Sequence, residues 1–145
     1  MQQCFAQISD PHLTTLDNVR GVELWNKRAL SYLSWRRKRR FEHRREVLDA
    51  LQRDLADANL QQLLVTGDLT HIGAPDEFRQ AAEWLEQLGP PAKVSVIPGN
   101  HDSLVAAPWQ DTYALWQDYL AGDQPTADEQ HPYPSPVSYT HLTLP

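Results

Sequence analysis

The stretch KVSVIPGNHD, residues 93–102, decides the fold of this chain. Its VSVI segment predicts a short buried strand, because β-branched residues pack well on a pleated surface. The Pro-Gly pair that follows ends the strand, since proline has no N–H to donate to a neighbouring strand and glycine accepts strained dihedral angles. Asn100, His101 and Asp102 come directly after it. They lie at the carboxyl end of a strand, which is where ligands bind in α/β sheets.

Two earlier apolar runs end in the same way. Residues 5–9 predict a strand that is followed by Asp10 and His12, and residues 60–66 predict a strand that is followed by Asp68. Helical patterns separate the three runs, so we expect parallel neighbours in one sheet, with right-handed crossovers that bring all three carboxyl ends to one edge. The sequence therefore predicts an α/β fold with a pocket of carboxylate, amide and imidazole groups at that edge.

Apolar residues at spacings of three and four predict the helices between and after these strands. The predicted helices cover residues 22–32, 42–57, 75–88 and 110–120. In the second of them, the apolar stripe consists of Val47, Leu48, Leu51 and Leu55. The last pattern is aromatic, and we interpret its side chains as packing residues.

Length and composition indicate one ordinary globular domain, because the chain has 145 residues, of which 41% are apolar and 22% are charged. A net charge of −6 argues against a dedicated nucleic-acid-binding protein. The one cysteine, Cys4, excludes an internal disulfide, and its place in the first strand predicts a buried thiol. We find no apolar run of about 20 residues and no signal-peptide pattern, and we therefore expect a cytoplasmic protein without a membrane partner.

The basic stretch at residues 35–45 has three interpretations. It could contact the phosphates of a nucleic acid, or it could form the solvated surface of a helix. Some of its arginines could also turn towards the pocket and hold an anionic substrate. The sequence favours a solvated helix surface over a nucleic-acid contact and leaves the third interpretation open.

The motifs Asp-x-His, Gly-Asp and Gly-Asn-His-Asp, each after an apolar run, resemble the signature of the calcineurin-like metallophosphoesterase family. The resemblance implies a metal-dependent phosphoric ester hydrolase, either a phosphodiesterase or a phosphatase. Its substrate would be a phosphate ester, attacked by metal-activated water at a dinuclear centre. The cofactor would be two divalent metal ions, and mixed nitrogen and oxygen ligands suit manganese, iron or zinc.

The resemblance also implies a role for each motif residue. Four residues would be metal ligands: Asp10, His12, Asp68 and Asn100. Asp68 would bridge both ions, since a carboxylate has two oxygens to share. His101 would face the substrate, as an electrostatic partner or as a proton donor to the leaving oxygen, and Asp102 would orient the ring of His101. His71 has two open interpretations, as a support for Asp68 or as an exposed loop histidine.

The family fold is a four-layer α/β/β/α sandwich, and residues 1–121 are expected to supply its N-terminal part as an incomplete, truncated domain. The late Gly-His-x-His of the family has no counterpart, because His131 and His141, the histidines after Asp102, lack that context. We therefore expect weak or no activity from this chain alone, and an apolar sheet face that is uncovered. A non-catalytic scaffold is the alternative from a different class, and the oligomeric state stays open.

The last part of the chain is predicted to lie outside this domain. Residues 122–136 are rich in proline and aspartate, which is typical of a turn-rich or disordered segment. Residues 137–145 resemble the peptide translated from a sequencing adaptor, and we expect a non-native tail there.

Overall fold

A computed structural model describes residues 4–13, 15–25, 27–37 and 45–121 of the chain. It confirms the α/β class, because three parallel strands form one sheet in the order β1-β2-β3. The strands are β1 (Phe5–Ile8), β2 (Gln62–Thr66) and β3 (Val94–Ile97). Residues 38–44 of the basic stretch, the segment 122–136 and the tail 137–145 lie outside the described residues, so the predictions for them are not tested. Within the described part, no helix is long and apolar enough to cross a bilayer.

The helices follow the predicted order, but the first, predicted over residues 22–32, is a 3₁₀ helix at Gly21–Leu24 and an α-helix only from Arg28. They are α1 (Arg28–Arg37), α2 (Arg45–Asp57), α3 (Pro75–Leu88) and α4 (Gln117–Leu120), with 3₁₀ helices at Gly21–Leu24, Trp109–Asp111 and Tyr113–Trp116. The helix predicted over residues 110–120 is therefore wrong in form. Its break lies at Thr112, which leaves the helical region with φ −133° and ψ −105°. The Thr112 hydroxyl donates instead to the carbonyls of Pro108 and Trp109.

One face of the sheet forms the core, because its apolar side chains are aligned by the strand register. Ala6 pairs with Leu63 and Ile8 with Val65, and the same β2 residues pair with Val94 and Val96. The side chains that pack on this face come from α2 and α3: Leu48, Leu51, Leu55, Phe78, Ala81, Trp84 and Leu85. The aromatic residues near α4 are packing residues, as predicted, and the indole N–H of buried Trp116 donates to the carbonyl of Phe78 at 3.0 Å.

Two expectations about exposure are wrong, and a third, the uncovered apolar sheet face, holds in part. Val47, predicted in the apolar stripe of α2, is 62% exposed, since it lies one residue, about 100°, from Leu48 around the helix. Cys4 is exposed and not buried, because it precedes the first residue of β1. On the second face of the sheet Phe5 and Ile97 are exposed as expected. The same face also carries the hydrogen-bonded polar pairs Gln7–Thr66 and Gln62–Ser95.

Candidate metal centre

The loops that follow β1 and β2 run side by side at the carboxyl edge of the sheet. The N–H of Asp10 donates to the carbonyl of Gly67 at 3.2 Å, and the N–H of His12 donates to the carbonyl of Asp68 at 3.0 Å. Asp10, His12 and Asp68 all have positive φ angles, of 53°, 40° and 56°. Each such non-glycine residue costs about 1–3 kcal/mol, and such strain is found mainly at functional sites. All three are residues that the sequence predicts as metal ligands.

Two glycines let the β2 and β3 loops approach each other. A Cβ atom on Gly67, which has a φ of +93°, would lie 2.8 Å from the Cα of Gly99. A Cβ atom on Gly99 would lie 2.1 Å from Oδ1 of Asp68. Side chains at either position would therefore separate the loops, so the glycines of the Gly-Asp and Gly-Asn-His-Asp motifs are needed for this close contact.

His12, Asp68 and His101 form the centre of the candidate site. One ligand atom from each lies within 4.8 Å of the others, so the three could hold a metal ion. The Asp68 carboxylate accepts the backbone N–H of His101 at 2.9 Å, and the rings of His12 and His101 meet edge to face with centroids 5.0 Å apart. The structure thus brings together one predicted residue from each of the three strand ends.

Backbone carbonyls set the orientation of both rings. Nδ1 of His12 lies 2.9 Å from the carbonyl oxygen of Thr70, and Nδ1 of His101 lies 2.7 Å from that of His71. A carbonyl oxygen only accepts, so each Nδ1 carries a proton and, in the neutral ring, Nε2 carries the lone pair. Metal-binding histidines are held in this way, with the second ring nitrogen donating to a carbonyl or carboxylate. The donor set therefore fits a divalent metal ion.

Asp10 and Asn100, the other two predicted ligands, are exposed. The pKa of the Asp10 carboxyl is lowered, chiefly because the hydroxyl of Ser9 donates a hydrogen bond to it. Burial opposes this shift, while His12, the side chain of Asp68 and His101 add to it. The Asp10 carboxyl thus interacts with His12, Asp68 and His101, and its role as a metal ligand stays a prediction. Asn100 is the exposed residue immediately before His101, and its role as a ligand stays a prediction.

Asp102 does not orient the ring of His101, and this prediction is wrong. One of its oxygens accepts the N–H groups of Asp68 and Gly99, both at 2.9 Å. The other accepts the N–H and the hydroxyl of Thr70, also at 2.9 Å. The nearly fully buried carboxylate therefore fastens the loop after β3 to the loop after β2. Asp102 therefore acts on the candidate site by fixing the backbone of the two loops that carry Asp68 and His101.

His71 is buried, so its interpretation as an exposed loop histidine is wrong. Its ring stacks on that of His12, with centroids 5.1 Å apart and an angle of 9° between the planes, so the residue it supports is His12. The sequence reasoning missed Arg28 and Glu77, which are buried and bind the backbone around His71. Glu77 could have been identified from the sequence, since a glutamate at the third position of a helix often accepts the backbone N–H of the residue just before the helix.

The model of the calcineurin-like phosphoesterase family matches residues 5–141. The chain belongs to this family. Comparison with curated proteins and with solved structures found no match. Family membership indicates metal-dependent hydrolysis of phosphate esters, which agrees with the grouping of His12, Asp68 and His101. The match extends past residue 121, where the sequence predicts the end of the domain, and that boundary stays a prediction.

Proposed function

We propose that this calcineurin-like phosphoesterase is a phosphoric ester hydrolase, a phosphodiesterase or phosphatase, with a dinuclear metal centre. The observation that supports the proposal best is the grouping of His12, Asp68 and His101 at one edge of a parallel sheet, with both rings fixed by carbonyls. Asp10 and His12 would hold one ion, Asn100 the other, and Asp68 both. Manganese, iron and zinc suit these nitrogen and oxygen ligands.

Such ions, when bound, would neutralise phosphate charge and lower the pKa of a bound water. A protein with a net charge of −6 can therefore attract a phosphate ester to this edge. His101 would act as the proton donor to the leaving oxygen through Nε2. The carbonyl of His71 favours this role, because it still accepts from Nδ1 when the ring is charged. The cytoplasmic location expected from the sequence stays a prediction.

The test compares metal binding and turnover in the same variants. Manganese affinity is measured by calorimetry, and hydrolysis is followed with a nitrophenyl phosphodiester and a nitrophenyl phosphomonoester. Asp68→Asn should weaken manganese binding by at least about tenfold, since even the partners of metal ligands contribute that much. His101→Ala should lower turnover more than it lowers metal affinity. Asp54→Asn, which changes an exposed carboxylate on α2, is the control.

Two outcomes would contradict the proposal. Equal manganese affinity in the wild type and Asp68→Asn would remove the metal site from this edge of the sheet. Manganese binding that depends on Asp68, with both esters hydrolysed no faster by the wild type than by Asp68→Asn, would favour the non-catalytic scaffold.

A further inference from the structure

Segment 71–74, which leads from the candidate site into α3, is held on one side by a buried carboxylate. Glu77 accepts the N–H groups of His71 at 2.6 Å, Ile72 at 3.1 Å and Ala74 at 2.9 Å. Its side chain is fully buried. A charged acceptor that binds three backbone donors in the interior fixes the path of that backbone, because each lost bond would leave a buried N–H unsatisfied.

A buried cation binds the same segment through its carbonyls. The guanidinium of Arg28 donates from Nε to the carbonyl of Ile72 at 3.1 Å and from Nη2 to that of Gly73 at 2.6 Å. Burial lowers the pKa of Arg28, whereas the carboxylates of Glu23 and Glu77 raise it. Each of the two opposite charges thus offsets part of the energetic cost of burying the other. Glu77 binds N–H groups of segment 71–74, and Arg28 binds its carbonyls.

This segment carries the group that orients His101. The carbonyl of His71, its first residue, lies 2.7 Å from Nδ1 of His101. Gly73 lies directly against the backbone of the third loop, because a Cβ atom on it would be 3.2 Å from the carbonyl oxygen of His101. A rotation of the His71 peptide would therefore remove the acceptor from the His101 ring.

We propose that Arg28 and Glu77 are positioning residues that hold the His71 carbonyl against Nδ1 of His101 and so fix the orientation and the Nδ1–H tautomer of this ring. The contribution of this arrangement to hydrolysis rests on the proposed function, whereas the tautomer of the ring does not. Without the two charges, the His71 carbonyl is released and the His101 ring reverts to the Nε2–H tautomer, which predominates in free imidazole side chains. The ring is then no longer held by a carbonyl in the orientation from which Nε2 would donate its proton to the leaving oxygen.

The experiment reads the tautomers directly in the metal-free chain. Histidine is labelled with ¹⁵N, and long-range proton–nitrogen spectra are recorded at about pH 8.5, roughly two units above the ordinary pKa of imidazole. His12 and His101 should both be Nδ1–H tautomers in the wild type. Arg28→Met and Glu77→Gln should move His101 towards Nε2–H, while His12, bound to the Thr70 carbonyl, changes less.

Matched controls and a conservative variant complete the design. Arg79→Met and Asp76→Asn remove an exposed cation and its carboxylate partner on α3, 3.2 Å apart, and should leave both tautomers unchanged. Arg28→Lys keeps the charge but has one nitrogen for two carbonyls, so it should give an intermediate shift. Arg28→Lys also tests the proposal if Arg28→Met and Glu77→Gln do not fold.

An unchanged His101 tautomer in folded Arg28→Met, or in Arg28→Lys alone if the others unfold, would overturn the proposal. A shift of equal size in the two controls would also overturn it. In active protein, Arg28→Lys should lower kcat by about tenfold while KM changes by less than about threefold, as expected for a partner of a catalytic group. If the tautomers shift as expected but no variant hydrolyses an ester, the positioning role holds and the proposed function fails.

Discussion

Gly99 allows no side chain, and this gives a sharp prediction for a single residue. In Gly99→Ala, the new Cβ atom would lie 2.1 Å from Oδ1 of Asp68 and 2.5 Å from its backbone nitrogen. The Asp68 carboxylate must therefore move, and it loses its place beside His12 and His101. We expect manganese affinity to fall by at least about tenfold, comparable with the loss of a group that orients a metal ligand. Calorimetric titration measures it.

Gly21→Ala is the matched control, because a Cβ atom there would meet no atom within 4 Å. It should leave manganese affinity unchanged. Unaltered affinity in Gly99→Ala, with a circular dichroism spectrum like that of the wild type, would show that Asp68 is not required at its present position.

The site residues that could be predicted from the sequence share one local property. His12, Asp68 and His101 each follow an apolar run within a few residues, so strand periodicity locates them. Arg28 and Asp102 could not be assigned in this way. Most of their partners are backbone groups more than 30 residues away, and backbone groups have no sequence pattern of their own. The sequence places Asp102 next to His101, and this adjacency leads to the wrong prediction that Asp102 orients the ring of His101.

At the level of the elements, α4 contains a group that should make stability depend on pH. Burial raises the pKa of the Tyr119 hydroxyl above its ordinary value of about 10, and the carboxylates of Glu86 and Asp118 raise it further. The folded state therefore favours the neutral phenol, whose hydroxyl donates to the carbonyl of Gly89. This contribution is fully present below about pH 10 and is lost as the pH rises through the raised pKa.

Tyr119→Phe removes this titration and should lose less stability than the wild type between about pH 9 and 11. Urea unfolding followed by tryptophan fluorescence gives the two profiles. Below about pH 9 the variant should be less stable by about 1 kcal/mol, because a hydrogen bond is lost. Parallel profiles over the whole range would contradict the raised pKa.

The elements themselves could be predicted where start and stop residues agree with the periodicity. Pro75 and Gly89 bound α3 as expected, and Asn59, with a φ of 47°, closes α2. The aromatic segment could not be predicted fully. Its spacing of three and four is compatible with both α and 3₁₀ turns, and tertiary contacts decide between them. The indole of Trp116 stacks on Phe78 at 4.7 Å, which anchors a 3₁₀ turn on α3.

In the whole molecule, a metal ion at the candidate centre would join three segments that are far apart in sequence. His12 and Asp68 follow β1 and β2, and the Asp68 carboxylate accepts the N–H of His101 after β3, so an ion bound to His12 and Asp68 would tie together the loops after all three described strands. Metal binding should therefore stabilise the fold as a unit. The expected gain is about 2.7 kcal/mol when free manganese is about 100 times the dissociation constant.

Two variants separate this linkage from general stability. Val94 lies in the core at the amino end of β3, away from the candidate centre. Val94→Ala should lower stability by about 2 kcal/mol through lost packing, yet keep the full increase in Tm on adding manganese. Asp68→Asn should show little or no increase at the same metal concentration, whatever its Tm in the presence of a chelator. Thermal unfolding with chelator and with manganese tests both. An equal metal-induced increase in the two variants would mean that manganese stabilises the chain from somewhere other than the edge where β1, β2 and β3 end.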